Sequence, residues 1–117
     1  MRSLSIVVFL FLTGCSRKEP ATDFPKIADE FVYRSLAFSP INATAQGLHT
    51  FEKRNLDSEL DDYNGAAIQA QRQFYSGIHK KLVALDRDGL SDEDKADFDI
   101  IDTQCGLALF DIDIART

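Results

Sequence analysis

The side chains of this chain that could carry chemistry are two histidines, two cysteines and an excess of carboxylates over cations. A zinc peptidase needs two histidines one helical turn apart, with a glutamate directly after the first. His49 lies in a stretch without periodicity, and His79 is followed by Lys80 and Lys81, so both read as surface or packing residues. Asp86-Arg87-Asp88-Gly89 invites comparison with a calcium loop. Placing Gly89 at the loop glycine puts Ala84 at the first ligand position and Lys95 where the bidentate glutamate belongs, so the loop fails at both ends. Asp57, Glu59, Asp61 and Asp62 fall before or within the first turn of a helix predicted from about Ser58, where the helix dipole accounts for them. A paired-carboxylate site needs a cleft that this segment does not announce. Cys105 has no histidine or lysine on its helical face and reads as a core thiol. No catalytic, cofactor-binding or metal-ligating residue follows from these patterns.

Cys15 is different, because its chemistry is announced by what precedes it. Met1-Arg2-Ser3 gives a positively charged start and Leu4 to Leu12 an apolar run, the two leading parts of an export signal. An apolar run of about nine residues is too short to cross a bilayer core of about 30 Å as a helix. Leu12-Thr13-Gly14-Cys15 resembles the lipobox of bacterial lipoproteins, with an aliphatic residue, two small residues and the cysteine that receives lipid. Residues 1–14 are therefore read as a lipoprotein signal peptide. Residues 15–22 are read as a lipidated flexible tether, polar and broken by Pro20. Acyl chains contribute about 0.8 kcal/mol per buried methylene, so the implied partner of this end is a membrane. Ser16, standing where an aspartate would signal retention at the inner membrane, implies the outer membrane facing the periplasm.

The elements that must position the remaining residues are helices. Asp23 and Pro25 open the first, with Phe24, Ile27, Ala28, Phe31, Val32 and Leu36 on one face. Ser39-Pro40 opens a short helix over Ile41–Gln46, and Gly47 offers a left-handed stop. Leu48–Asp57 lacks either period and reads as a loop anchored by Phe51. From about Ser58 the stripe Leu60, Tyr63, Ala67, Gln71, Phe74, Ile78, Leu82 and Leu85 predicts one long helix closed by Gly89, with a bend or close contact at Gly65 or Gly77. Ser91 and the acids after it cap a last helix with Phe98, Ile101, Cys105, Ala108 and Ile112 inside. The expected fold is all-α, with a long antiparallel helix hairpin at its centre and residues 23–117 as the helical domain. Ile100, Leu107 and Phe110 give the last helix a second apolar face, so it wants partners on two sides.

Net charge is −6, and loss of Arg2 with the signal makes the mature chain more acidic still. Such a chain gains nothing from phosphate backbones, which excludes nucleic acid as a natural partner. The same charge repels anionic lipid, so membrane contact is expected through the anchor and not through the domain surface.

Two segments carry a family resemblance. Phe38-Ser39-Pro40-Ile41-Asn42-Ala43-Thr44-Ala45-Gln46-Gly47-Leu48-His49 is similar to an early SP-x-x-AT-x-xGLH segment of the bacterial domain-of-unknown-function 885 family. Leu85 to Asp99 is similar to that family's LSPEDRLDYD turn and helix. The resemblance implies a large, mostly helical exported lipoprotein of zinc-metallopeptidase type, whose HExxH helix lies far toward its C-terminus. This chain carries no HExxH helix, so no catalytic or zinc-binding residue transfers to it and zinc is implied only for full-length relatives. The resemblance further implies that these residues are the N-terminal portion of a larger protein, with the missing C-terminal part as a partner. The alternative expectation is a small self-contained envelope lipoprotein acting as a helical binding or scaffold module.

Overall fold

A computed structural model describes residues 23–115 of the chain. The segments read as signal peptide and tether, with Cys15, lie outside the described residues. So do Arg116 and Thr117.

α1 spans Phe24–Ala37, with Pro25 in its first turn, where a missing amide hydrogen costs nothing, and Arg34 in its last turn, where the dipole favours a cation. Asp23 occupies the cap position without making a capping bond; its carboxylate lies 3.8 Å from Lys26 instead. α2 spans Pro40–Ala45. Its C-terminus is closed by Gly47 at φ +90°: the Gly47 amide donates to the Thr44 carbonyl at 3.0 Å and the Leu48 amide to the Ala43 carbonyl at 2.9 Å. Glycine reaches that φ without penalty, so the expected left-handed stop is present.

The segment read as a loop contains a hairpin. β1 (Thr50–Phe51) pairs antiparallel with β2 (Arg54–Asn55), joined through Glu52 at φ +53°. A 3₁₀ turn over Leu56–Ser58 follows. Phe51 is only partly covered, and the buried anchor is Leu56.

The long helix starts later than its stripe predicts. α3 spans Gly65–Ala84, and Asn64 caps it by accepting the Ala67 amide at 2.9 Å. Leu60 is 79% exposed, and Tyr63 also faces outward. The physical reason is competition: Asp57, Glu59 and Asp61 are taken up by α2 and the hairpin, and Asn64 offers an amide oxygen in the extended geometry a cap requires. α3 also stops earlier than predicted. Leu85 turns extended and buries its side chain, and Gly89 ends a separate 3₁₀ turn over Arg87–Gly89. Neither Gly65 nor Gly77 marks a close approach, since a Cβ at either would meet open space. α4 spans Asp92–Phe110, capped by the Ser91 hydroxyl accepting the Asp94 amide at 3.1 Å, and it runs into a π turn over Asp111–Ala115.

α3 and α4 form the antiparallel hairpin expected. Arg72 reaches Asp113 at 2.7 Å, His79 reaches Asp102 at 2.9 Å, and Arg87 reaches Asp99 at 2.9 Å, so one strand of numbers rises as the other falls. α1 lies across the pair. Phe24 and Ile27 join Ile78, Leu82, Leu85, Leu90, Phe98, Ile101 and Cys105 in one core. Each fully buried side chain of this kind contributes about 1.5–3 kcal/mol by leaving water. A second aromatic layer sits above it, where Phe38 meets Phe74 at 5.4 Å between centroids and Phe31 meets Tyr75 edge-on at 6.4 Å. The fold is all-α apart from the small hairpin.

Candidate functional site around α2 and the hairpin

Asp57, Glu59 and Asp61 do not decorate a helix; they brace α2 and the hairpin. Asp57 Oδ1 accepts the Thr44 hydroxyl at 3.0 Å and lies 2.8 Å from His49 Nδ1. These two bonds, His49 first, hold the Asp57 carboxyl below its ordinary range. Glu59 receives the guanidinium of Arg54, which lowers the glutamate and raises the arginine; Arg54 also donates to the Ala37 carbonyl at 3.3 Å. Asp61 accepts the Ser39 hydroxyl at 2.8 Å and the Ile41 amide at 3.2 Å, and the Ser39 bond above all lowers its carboxyl. Asp62 accepts the Asn64 amide at 2.9 Å.

Three residues of the Phe38–His49 segment, Ser39, Thr44 and His49, are thus each tied to a carboxylate of the later acidic run. The His49–Asp57 pair has two members of a general-base arrangement. The Thr44 hydroxyl, however, bonds to the carboxylate and not to the imidazole, so the trio lacks the nucleophile-to-base contact of hydroxyl catalysis. Beside it, a cleft of about 370 Å³ is walled by Phe38, Pro40, Ala67 and Gln71 and rimmed by Arg54 and Glu59. Arg54 and Glu59 offset each other there, and Asp62 leaves the rim acidic.

No family model, curated protein or solved structure matches the chain.

The other candidates are dispersed. His79 faces Asp102 across the α3–α4 seam. Arg87 forks onto Asp99 and stands 6.0 Å from the centroid of Phe98, which places a cation in the middle of the Asp86–Gly89 segment. Cys105 is fully buried, and burial followed by the Asp102 charge pushes its thiol up to about 11, the opposite of an activated nucleophile. Among the described residues no group of three or more His, Cys, Asp or Glu side chains could hold a metal ion. His49 and His79, each facing a single carboxylate, do not make a zinc site together, and no metal-dependent step is assigned to them.

Sequence reasoning missed Arg54 and Leu56, and it gave Asp61 to a helix dipole when the residue braces α2. A signal for Asp61 was available: Asp57, Glu59 and Asp61 alternate at every second residue, a spacing that belongs to an extended segment and not to a helix. Arg54 and Leu56 carry no such mark.

A further concave surface is largely apolar. Along the seam between α1 and α4, two adjoining hollows of about 220 and 520 Å³ share Phe31 as a common wall. Ala28 and Val32 line it from α1, Ile100 and Leu107 from α4, and Tyr75 closes its floor from α3.

Proposed function

We propose that the chain is the N-terminal helical segment of a bacterial lipoprotein, anchored by lipid on Cys15 to the outer membrane and facing the periplasm. It contributes packing surface, not catalytic groups, to a zinc-dependent peptidase or hydrolase of the domain-of-unknown-function 885 type. The observation that carries this reading is the exposed apolar flank of α4. Ile100 and Leu107 are each 58% exposed, and Phe110 and Ile114 are exposed beyond them. An apolar stripe that long on a helix already packed on its other side supports a role against further protein. The polar ties of Ser39, Thr44 and His49 agree with it, since the residues that carry the resemblance brace the fold.

Two measurements test it. An alkyne-tagged fatty acid fed to an expressing bacterium should label the chain, and Cys15→Ser should abolish the label and release the chain from the membrane fraction. The coding DNA read past the Thr117 codon, in all frames, should encode an HExxH helix. An unlabelled, cytosolic product without such a continuation overturns the proposal.

A second reading, a self-contained envelope module for binding or scaffolding, is favoured by one observation. Among the described residues the core closes over α1, α3 and α4 with no buried polar side chain left unpartnered. Cooperative thermal unfolding of a monomeric exported chain supports that reading over the first.

A further inference from the structure

The groove between α1 and α4 has a charge pattern that selects its occupant. Along α4, steps of three and four residues align Glu93, Asp97, Ile100, Gln104 and Leu107 in one stripe that Asp111 continues past the helix end, with Ile100 and Leu107 between carboxylates. Asp97 lines the groove itself. The only cation in α4 is Lys95, which falls off this stripe. On α1, Asp29 is exposed one turn before Val32.

We infer that this groove is a docking site for an amphipathic helix that carries lysine or arginine on both sides of an apolar stripe. The inference rests on the packing role proposed above and adds the chemistry of what packs there. Apolar coverage and charge together choose this occupant. An apolar stripe on the incoming helix covers Val32, Ile100 and Leu107, which water otherwise wets. Flanking cations meet Asp97 and Glu93 at short range, where salt screens them least. A second copy of this chain is disfavoured, because a two-fold contact across the groove sets Asp97 and Glu93 against carboxylates of their own kind. An anionic lipid surface is disfavoured by the same charges.

The test uses the full chain in phosphatidylcholine nanodiscs, with empty nanodiscs as the blank. Two fluorescent peptides of about eighteen residues, a length at which helices begin to hold in water, share one leucine stripe. One carries lysines beside the stripe and the other glutamates. Fluorescence anisotropy should show the lysine peptide binding about tenfold more tightly than the glutamate peptide, with the gap closing at high salt. Ile100→Ser together with Leu107→Ser should abolish binding; both side chains are exposed, so the circular dichroism melt should stay unchanged. Glu93→Lys with Asp97→Lys should reverse the preference toward the glutamate peptide. Equal binding of the two peptides overturns the charge-matched occupant while leaving a packing role in place. Binding of neither peptide overturns the docking site, as does concentration-dependent self-association in sedimentation that Ile100→Ser removes. The labelling and coding-sequence tests of the lipoprotein reading are independent of all these outcomes.

Discussion

Asp61 caps a helix to which it does not belong: its carboxylate accepts the Ser39 hydroxyl at 2.8 Å across 22 residues of sequence. Its second oxygen takes the Ile41 amide in the first turn of α2. Ser39 occupies the cap position of α2 without capping it directly, so the serine hydroxyl serves as a donor to Asp61 and the aspartate does the capping. A helix of one and a half turns is not stable by itself, and this bond fastens it to the segment before α3.

Removing the cap should therefore cost more than a surface substitution. Asp61→Ala is expected to destabilise the chain by about 1 kcal/mol, with a melting point about 5 °C lower. Asp62→Ala, which loses only two local bonds to Asn64, should change the melting point much less. Equal effects of the two variants would show that α2 does not depend on Asp61.

The acidic braces also set a pH dependence. Asp57, Glu59, Asp61 and Asp99 all titrate below their ordinary values, held there by His49, Arg54, Ser39 and Arg87 respectively. A carboxyl lowered in the folded state stabilises it above the unfolded value of about 4 and loses that contribution as pH falls through the lower folded value. Thermal melts should be level from neutral pH to about pH 5 and fall steeply below about pH 4. A melting point that holds at pH 2.5 would contradict the bracing role.

Core and flank isoleucines should separate cleanly. Ile78→Ala removes a side chain buried between α1, α3 and α4 and is expected to cost about 2–4 kcal/mol. Ile100→Ala, on the open flank, should stay within about 0.5 kcal/mol in the same chain. Chemical denaturation measures both, and comparable losses would mean that the flank is covered within this chain.

Gly77 lies inside α3 with open space where a Cβ would stand. Gly77→Ala should stabilise the chain by about 1 kcal/mol, because alanine loses less backbone freedom on entering the helix. A lower melting point for this variant would reveal a contact at that position.

The Cys105 thiol should be silent until the chain unfolds. With its value raised to about 11 by burial and by Asp102, alkylation by iodoacetamide at pH 8 should be on the order of a hundredfold slower than in denaturant. Mass mapping of the peptide that contains Cys105 reports this without interference from Cys15.

Much of this architecture is legible in residue spacing. The stripe from Ala67 to Leu82, the stripe from Phe98 to Cys105 and the serine at position 91 suffice to predict two long helices and the cap of the second, because a helix repeats every 3.6 residues and a hydroxyl before a run of acids has a local role. Gly47 is equally local, since its positive φ serves the turn it sits in. Tertiary structure alone decided where α3 begins, which side chains anchor the hairpin and what the acidic run does. Leu60 and Tyr63 fit the helical stripe in sequence, yet they lie outside the helix and face solvent, because Ser39, Thr44, His49 and Arg54 compete for the carboxylates around them. Those partners sit between 5 and 22 residues away in sequence. Periodicity reports what one segment wants for itself, and a hydrogen bond to a distant segment leaves no trace in it.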